Sequence, residues 1–104
     1  MADLVRACAV SDVEEEGALR VDLGGRPVCI ARSGGQVYAI GDQCSHADVS
    51  LSEGDVEDGK IECWLHGSLF DLATGRPTGL PAVKPVPTYA VTVEGDDVLV
   101  QMEP

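Results

Sequence analysis

The segment ALRVDLGGRPVCIARSGGQVYAI, residues 18–40, decides the fold class. Its apolar, β-type runs cover 18–23, 27–32 and 36–40, and a Gly-Gly pair separates each run from the next. Two-residue hairpin turns need positive φ angles at their centre, and glycine adopts these angles without a steric penalty. The segment therefore predicts three antiparallel strands joined by tight hairpins.

The same pattern extends along most of the chain. Further β-type runs cover 4–10, 60–64, 69–72, 88–93 and 97–102, with turn signals at Asp58-Gly59 and Glu94-Gly95. Short strands at this spacing are typical of all-β proteins. We expect an antiparallel meander that closes into a small barrel or sandwich. The one helical signal is the capping-box spacing of Ser11 and Glu14, which predicts a turn or two that ends at Gly17.

Four prolines lie within eleven residues, between the β-type runs 69–72 and 88–93; they are Pro77, Pro81, Pro85 and Pro87. Because proline lacks the N–H that a strand ladder needs, this stretch is predicted to be an ordered loop. No internal repeat or linker interrupts the 104 residues, so we expect one domain over 1–104.

The charge balance excludes two classes of partner. The chain has seven basic and 18 acidic residues, which gives a formal net charge of -11 at pH 7. Nucleic acids and anionic membranes both attract Lys/Arg patches, which this chain does not supply, so its expected partners are basic proteins. The sequence begins without a basic leader and contains no long apolar stretch, from which we expect a cytoplasmic protein.

Both histidines of the chain lie beside cysteines. Cys44 and His46 form a C-x-H pair, and sixteen residues later Cys63 and His66 form a C-x-x-H pair. If the two loops lie side by side, two thiolates and two imidazoles converge on one site. A tetrahedral Zn²⁺ fits this set, and so does a [2Fe-2S] cluster with cysteines on one iron and histidines on the other. Common zinc modules pair like ligands, so the mixed loops favour the cluster, with zinc as the alternative.

At these residues the chain resembles the Rieske-type [2Fe-2S] ferredoxins of multicomponent non-haem iron aromatic-ring dioxygenases. The resemblance covers the acidic turn at 11–17, both ligand pairs with Gly67, the pairs Phe70-Asp71 and Thr74-Gly75, and the proline loop at 79–82. It implies a small Rieske-type sandwich or barrel, with two loops forming a cluster-binding subdomain over about 42–81.

The resemblance also implies the role of each site residue. Cys44 and Cys63 would hold the inner iron of one [2Fe-2S] cluster, and His46 and His66 the outer iron near the surface. The residues implied around the cluster are Trp64, Ser68, Leu80 and Pro81. Ser68 matches a hydrogen-bonding serine of high-potential Rieske proteins, whereas Phe70 replaces their tyrosine. We therefore expect a low potential, within the bottom quarter of a Rieske range of roughly -150 to +300 mV.

The function that this resemblance implies is electron transfer without catalysis. The protein would carry one electron from a flavin-dependent NAD(P)H reductase to a terminal oxygenase, through weak, transient contacts with basic docking patches. It would bind no small-molecule substrate. Two other clients stay open, a nitrite reductase and the iron–sulfur assembly machinery, and a zinc-stabilised interaction module is the alternative outside electron transfer.

Three further sets of residues carry expectations. Cys8 and Cys29 lie in strand-like runs and are predicted to be small buried hydrophobes. Trp64 is expected either in the core or as a cover over the cluster. The acidic residues that flank the first ligand loop form either a solvated surface or a docking face; they are Asp42, Asp48, Glu53, Asp55, Glu57 and Asp58.

Overall fold

The structure is a computed structural model that describes residues 3–43, 50–64, 67–78 and 84–102. Its regular elements are strands and two short 3₁₀ turns, at Val10–Asp12 and Leu51–Glu53. The strands are β1 Asp3–Ala9, β2 Gly17–Leu23, β3 Arg26–Ser33, β4 Gln36–Gly41, β5 Val56–Glu57, β6 Lys60–Glu62, β7 Leu69–Asp71, β8 Thr88–Tyr89, β9 Val91–Glu94 and β10 Asp97–Met102. Within these ranges no helix is long and apolar enough to span a membrane.

The strands form three antiparallel sheets. The central sheet has the order β2-β3-β4-β8, the second has the order β1-β10-β9, and the third has the order β5-β6-β7. Neighbouring strands in every sheet run antiparallel. The predicted all-β antiparallel architecture is confirmed.

Strand β3 is buried on both faces, which places the central sheet between two apolar cores. Val28 and Ile30 point into an upper core shared with the β1-β10-β9 sheet. Cys29 and Ala31, which alternate with them, point into a lower core shared with the β5-β6-β7 sheet. Successive side chains of a strand face opposite sides, so one continuous apolar run serves both cores.

The glycine turns fall where the sequence predicts them, with one exception. The register pairs Leu23 with Arg26 and Ser33 with Gln36, so each Gly-Gly pair forms a two-residue loop. The prediction for Glu94-Gly95 is wrong by one residue, because Glu94 pairs with Asp97 and the loop is Gly95-Asp96. In that loop Gly95 has φ +64°, and glycine at the first central position is the requirement of a type II′ turn.

The helical signal near residue 11 corresponds to a single 3₁₀ turn, and Ser11 is not its cap. The Asp12 carboxylate accepts a hydrogen bond from the Ala9 N–H at 3.0 Å. The Ser11 hydroxyl instead donates to Asp96 at 2.8 Å, which fastens this turn to the β9–β10 hairpin. A capping pattern covers only neighbouring residues, so it could not predict that Ser11 bonds to the distant Asp96.

Three strand predictions need smaller corrections. The run 88–93 is divided at Ala90 into β8 and β9, which join different sheets. The run 60–64 ends as a strand at Glu62, since the backbone turns at Cys63 towards the next strand. Strand β5 was missed because two residues are too short for a periodic pattern.

Ser33 joins the third sheet to the central one. Its side chain is buried, donates to the Glu16 carboxylate at 2.8 Å and accepts the Gly59 N–H at 2.8 Å. Gly59 lies in the β5–β6 turn, so one hydroxyl bridges the acidic turn before β2, the end of β3 and the third sheet. Because a buried hydroxyl without partners is costly, this arrangement fixes the position of the third sheet.

The proline-rich stretch is anchored at both ends, as predicted for an ordered loop. Pro77 forms an isolated bridge with Phe70. The Val86 N–H donates to the Gly75 carbonyl at 2.8 Å, and the Pro87 carbonyl accepts the Gly41 N–H at 2.8 Å. Pro81 lies outside the described residues.

Of the glycines that the structure describes, Gly54 has the closest neighbour. A Cβ atom there would overlap the Glu62 carbonyl oxygen, although the backbone angles of Gly54 are ordinary. We predict that Gly54→Ala lowers the melting temperature by about 5–20 °C, because a methyl group forces strand β6 away. Thermal unfolding followed by circular dichroism measures the effect.

The matched control is Gly24→Asn, at a turn position with φ +59° and open space around it. Asparagine is favoured in this turn, so the control should melt close to the wild type. A Gly54→Ala protein that melts within about 2 °C of the wild type would contradict the close contact.

Candidate metal centre

Cys63 is the one predicted ligand that lies among the described residues. It follows β6 directly, and its side chain is fully buried in the lower core. Its N–H donates to the Ser68 carbonyl at 2.7 Å, and its carbonyl accepts the Gly67 N–H at 2.8 Å. The connection between β6 and β7 therefore holds this thiol at a fixed point and away from water.

The segment that follows the first predicted ligand loop lies against strand β6, which leads to Cys63. An isolated bridge joins Gln43 to Ser50 and closes the first loop at its base. Leu51, which follows this bridge, packs in the same core as Cys63. The Asp55 carbonyl then accepts the Glu62 N–H at 2.8 Å, one residue before Cys63. The segment after the first loop therefore lies beside the strand that leads into the second.

Asp42 holds the base of the first loop together. It is almost fully buried, and its carboxylate accepts the Ser52 N–H at 2.8 Å. Its own carbonyl accepts the Leu51 N–H at 2.5 Å, and its N–H donates to the Pro27 carbonyl at 3.2 Å. Arg20 Nε lies 3.9 Å from the second carboxylate oxygen. One residue therefore connects β4, β3 and the segment that follows the loop.

The burial of Asp42 corrects one expectation about the acidic residues. Asp42 belongs to the interior and not to a solvated or docking surface. Glu53, Asp55, Glu57 and Asp58 are exposed, and Asp48 lies outside the described residues. The signal that could have revealed Asp42 is its place at the end of an apolar strand, directly before the loop with Cys44.

The residues predicted around the cluster divide into three cases. Ser68 is buried, and its carbonyl accepts the Cys63 N–H. Phe70, two residues further on, is fully buried in the lower core. Trp64 is 51% exposed, so the prediction of a core tryptophan is wrong and its role as a cover stays a prediction. Leu80 and Pro81 lie outside the described ranges.

The donor chemistry at Cys63 fits an iron–sulfur cluster. Cysteine thiolates hold such clusters, and a buried free thiol at the mouth of a loop supplies one. Cys44, His46 and His66 lie outside the described residues, and the ranges that are described hold no group of three metal-binding side chains. The structure therefore describes one of the four predicted ligands, Cys63, and the residues that flank both predicted ligand loops.

The remaining two described cysteines are buried in apolar surroundings, as predicted. Cys8 lies in the upper core and Cys29 in the lower core, and both are free thiols. Burial raises the pKa of both thiols, and for Cys29 the nearby Asp42 raises the pKa further. Both lie within strands, and neither belongs to a C-x-H or C-x-x-H pair.

Comparison with known proteins decides the family. Residues 3–90 match the model of the Rieske [2Fe-2S] domain. The chain belongs to the Rieske [2Fe-2S] domain family. This Rieske domain is 43% identical to the ferredoxin component of biphenyl 2,3-dioxygenase from Rhodococcus jostii, over 96% of this chain and 94% of that protein.

Two solved structures extend the likeness. The ferredoxin of carbazole 1,9a-dioxygenase from Nocardioides aromaticivorans matches with 40% identity and a TM-score of 0.87, over 93% of this chain and 95% of that one. A complex of reduced oxygenase and oxidized ferredoxin in carbazole 1,9a-dioxygenase contains a chain with 36% identity and a TM-score of 0.87, over 94% of this chain and 92% of that one.

These findings confirm several predictions for the Rieske domain. The resemblance to dioxygenase ferredoxins is confirmed, and so are the single [2Fe-2S] cluster as cofactor and the role of an electron carrier without catalysis. The structural zinc alternative loses its support, because the matched family holds a [2Fe-2S] cluster.

Asp42→Ala tests the base of the first loop. The substitution leaves the half-buried Ser52 N–H without its acceptor, which costs about 1–3 kcal/mol, and we predict that iron content falls by roughly half or more. Asp42→Asn keeps an oxygen acceptor and should retain more iron than the alanine variant. Iron per chain and urea unfolding measure both effects.

The control is Asp58→Asn, an exposed residue with φ 52° where asparagine is well tolerated. It should leave iron content and stability unchanged. Full iron loading of the Asp42→Ala protein would show that the buried carboxylate does not organise the loop.

Proposed function

We propose that this protein carries single electrons from a flavin-dependent NAD(P)H reductase to the terminal oxygenase of a ring-hydroxylating dioxygenase. The observation that carries the proposal is the buried thiol of Cys63, directly after β6 and next to the segment that follows the first predicted ligand loop. The family match supplies the cofactor, and the related dioxygenase ferredoxins supply the kind of system.

The proposed ligands are Cys44 and Cys63 on the inner iron, and His46 and His66 on the outer iron. Bound there, the [2Fe-2S] cluster supplies a reversible one-electron redox couple. Cys63 contributes a thiolate fixed by the backbone of the β6–β7 connection, and the lower core behind it excludes water. Ser68, Trp64, Leu80 and Pro81 are proposed to surround the cluster and limit its solvation.

The residues of this chain favour a low reduction potential. Phe70 has no hydroxyl group to donate a hydrogen bond towards a cluster sulfur, and a sulfur without a donor stabilises the reduced state less. Eighteen acidic residues against seven basic ones disfavour the added electron as well, although salt screens the exposed charges. We propose a midpoint in the bottom quarter of the range of roughly -150 to +300 mV.

The partners follow from charge and from the related systems. A similar ferredoxin forms a complex with the oxygenase of carbazole 1,9a-dioxygenase, which supports a terminal oxygenase as the acceptor. The excess of negative charge supports basic docking patches on both partners and contacts that weaken with salt. We place the protein in the cytoplasm, where the NAD(P)H for the reductase is found.

A nitrite reductase or the iron–sulfur assembly machinery remains the alternative client. The 43% identity to a dioxygenase component over nearly the whole chain favours the oxygenase. The identity of the aromatic substrate lies with the oxygenase, because this chain contributes no group that acts on it.

The four cysteines give an internally controlled test of the ligands. We predict two irons and two sulfides per chain in the wild type, and loss of the visible spectrum in Cys44→Ala, Cys63→Ala and His66→Ala. Cys8→Ala and Cys29→Ala should keep the cluster, because these residues lie within strands β1 and β3 and belong to neither predicted ligand pair. Retained absorbance in any of the first three variants contradicts the ligand assignment.

A reconstituted electron-transfer chain tests the function. The wild type should couple NADH oxidation by the reductase of the Rhodococcus jostii biphenyl dioxygenase to turnover of its oxygenase component. Turnover should fall as ionic strength rises, because opposite charges draw the proteins together. No reduction of the oxygenase by chemically reduced protein would argue against this client.

A further inference from the structure

The outward face of the third sheet differs between its two ends. Val56, Ile61 and Phe70 point into the lower core, so their neighbours along the strands point outward. At the end away from Cys63, Lys60 pairs across the sheet with Glu57 and Asp71, which balances part of the charge. The end beside Cys63 instead carries exposed apolar side chains and carboxylates.

Two large apolar side chains are exposed beside Cys63. Trp64, the next residue, is 51% exposed, and Leu69 is 38% exposed at the start of β7. The hydrogen bond from the Cys63 N–H to the Ser68 carbonyl closes the connection between them. An exposed tryptophan has a free-energy cost in water that a protein partner would relieve, and tryptophan is enriched among the residues that dominate binding.

Carboxylates border this apolar pair. Glu62 pairs directly across from Leu69, so the two side chains lie on the same face. The exposed Asp55 lies next to Glu62, because its carbonyl accepts the Glu62 N–H. The exposed Glu53 lies two residues before Asp55. Among the described residues, Glu53, Asp55 and Glu62 form no ion pair.

An apolar centre with a charged border is the usual anatomy of a protein docking surface. Leu4 and Val93 are also exposed apolar residues, at 53% and 46%, but they lie in the β1-β10-β9 sheet on the far side of the central sheet. Among the exposed apolar side chains of the described residues, only Trp64 and Leu69 lie beside a predicted cluster ligand, which is where an electron-transfer partner must approach.

We propose that Trp64 and Leu69, bordered by Glu53, Asp55 and Glu62, form the surface that docks on the terminal oxygenase. This inference rests on the proposed function and names the part of the chain that recognises the acceptor. The matching surface of the oxygenase is an apolar depression bordered by Lys and Arg side chains. Trp64 fills the depression, and the three carboxylates orient the approach and favour encounter at low salt.

The test measures transfer from this protein to the oxygenase component of the Rhodococcus jostii biphenyl dioxygenase in steady state. Trp64→Ala should raise the KM for this protein at least about tenfold, and Leu69→Ala about threefold, with kcat nearly unchanged. Trp64→Phe should restore most of the affinity. Glu62→Gln should raise the KM at low salt and lose its effect as salt increases.

Matched controls separate docking from damage to the fold or the cluster. Leu4→Ala and Val93→Ala remove exposed apolar side chains elsewhere, and Glu94→Gln removes an exposed carboxylate on β9; all three should match the wild type. The visible spectrum of every variant and the midpoint potential of Leu69→Ala, Glu62→Gln and the three controls should stay at the wild-type values, which a disturbed cluster would not allow. The midpoint potential of Trp64→Ala is measured as well, because Trp64 is also proposed to limit solvation of the cluster. A KM that rises while this potential holds assigns the loss to docking.

Two results would overturn the docking surface while leaving the proposed function intact. The first is a wild type that reduces the oxygenase while Trp64→Ala and Leu69→Ala show a KM within about twofold of it. The second is that Trp64→Ala and Leu69→Ala slow the reduction of this protein by the reductase but leave its reduction of the oxygenase unchanged. A wild type that does not reduce the oxygenase would overturn the proposed function, and the docking surface with it.

Discussion

The burial of strand β3 on both faces is the constraint on which the rest of this structure depends. Because Val28 and Ile30 face one core while Cys29 and Ala31 face the other, the central sheet needs a second layer on each side. The lower layer is the small β5-β6-β7 sheet, which has too few residues to bury a core of its own. Its Ile61, Phe70 and Cys63 are buried because the central sheet covers them. The position of the proposed ligand Cys63 therefore results from the same packing that forms the lower core.

Polar contacts decide where that small sheet and its loops lie. Ser33 joins the β5–β6 turn to the end of β3, and Asp42 joins the base of the first ligand loop to β3 and β4. Both side chains are buried, so a shift of either loop would leave a polar group without a partner, which is costly. Apolar packing alone would tolerate small sliding movements of the sheet. The two buried polar residues remove that freedom and hold Cys63 beside the chain that leads to Cys44.

The sequence predicted the parts of the fold that depend on neighbouring residues. The Gly24-Gly25 and Gly34-Gly35 turns were correct because turn geometry is local, and the C-x-H and C-x-x-H pairs identified the cluster because ligand spacing is local too. Asp42 was misplaced because its burial depends on partners far along the chain, and the sequence left Trp64 open between core and cover for the same reason. The proposed docking surface beside Cys63 could not be inferred from the sequence, since the pairing of Glu62 with Leu69 is known only from the register of β6 and β7.

The central claim is that this fold brings two cysteines and two histidines together around one low-potential [2Fe-2S] cluster. The most direct measurement is electron paramagnetic resonance of anaerobically prepared, dithionite-reduced protein, recorded through a potential titration. The account predicts a rhombic signal with a low average g value, typical of mixed cysteine and histidine ligation, and a midpoint potential below zero. A colourless, silent sample that contains zinc would contradict the account, and so would a cluster signal that survives the substitution of both Cys63 and His66.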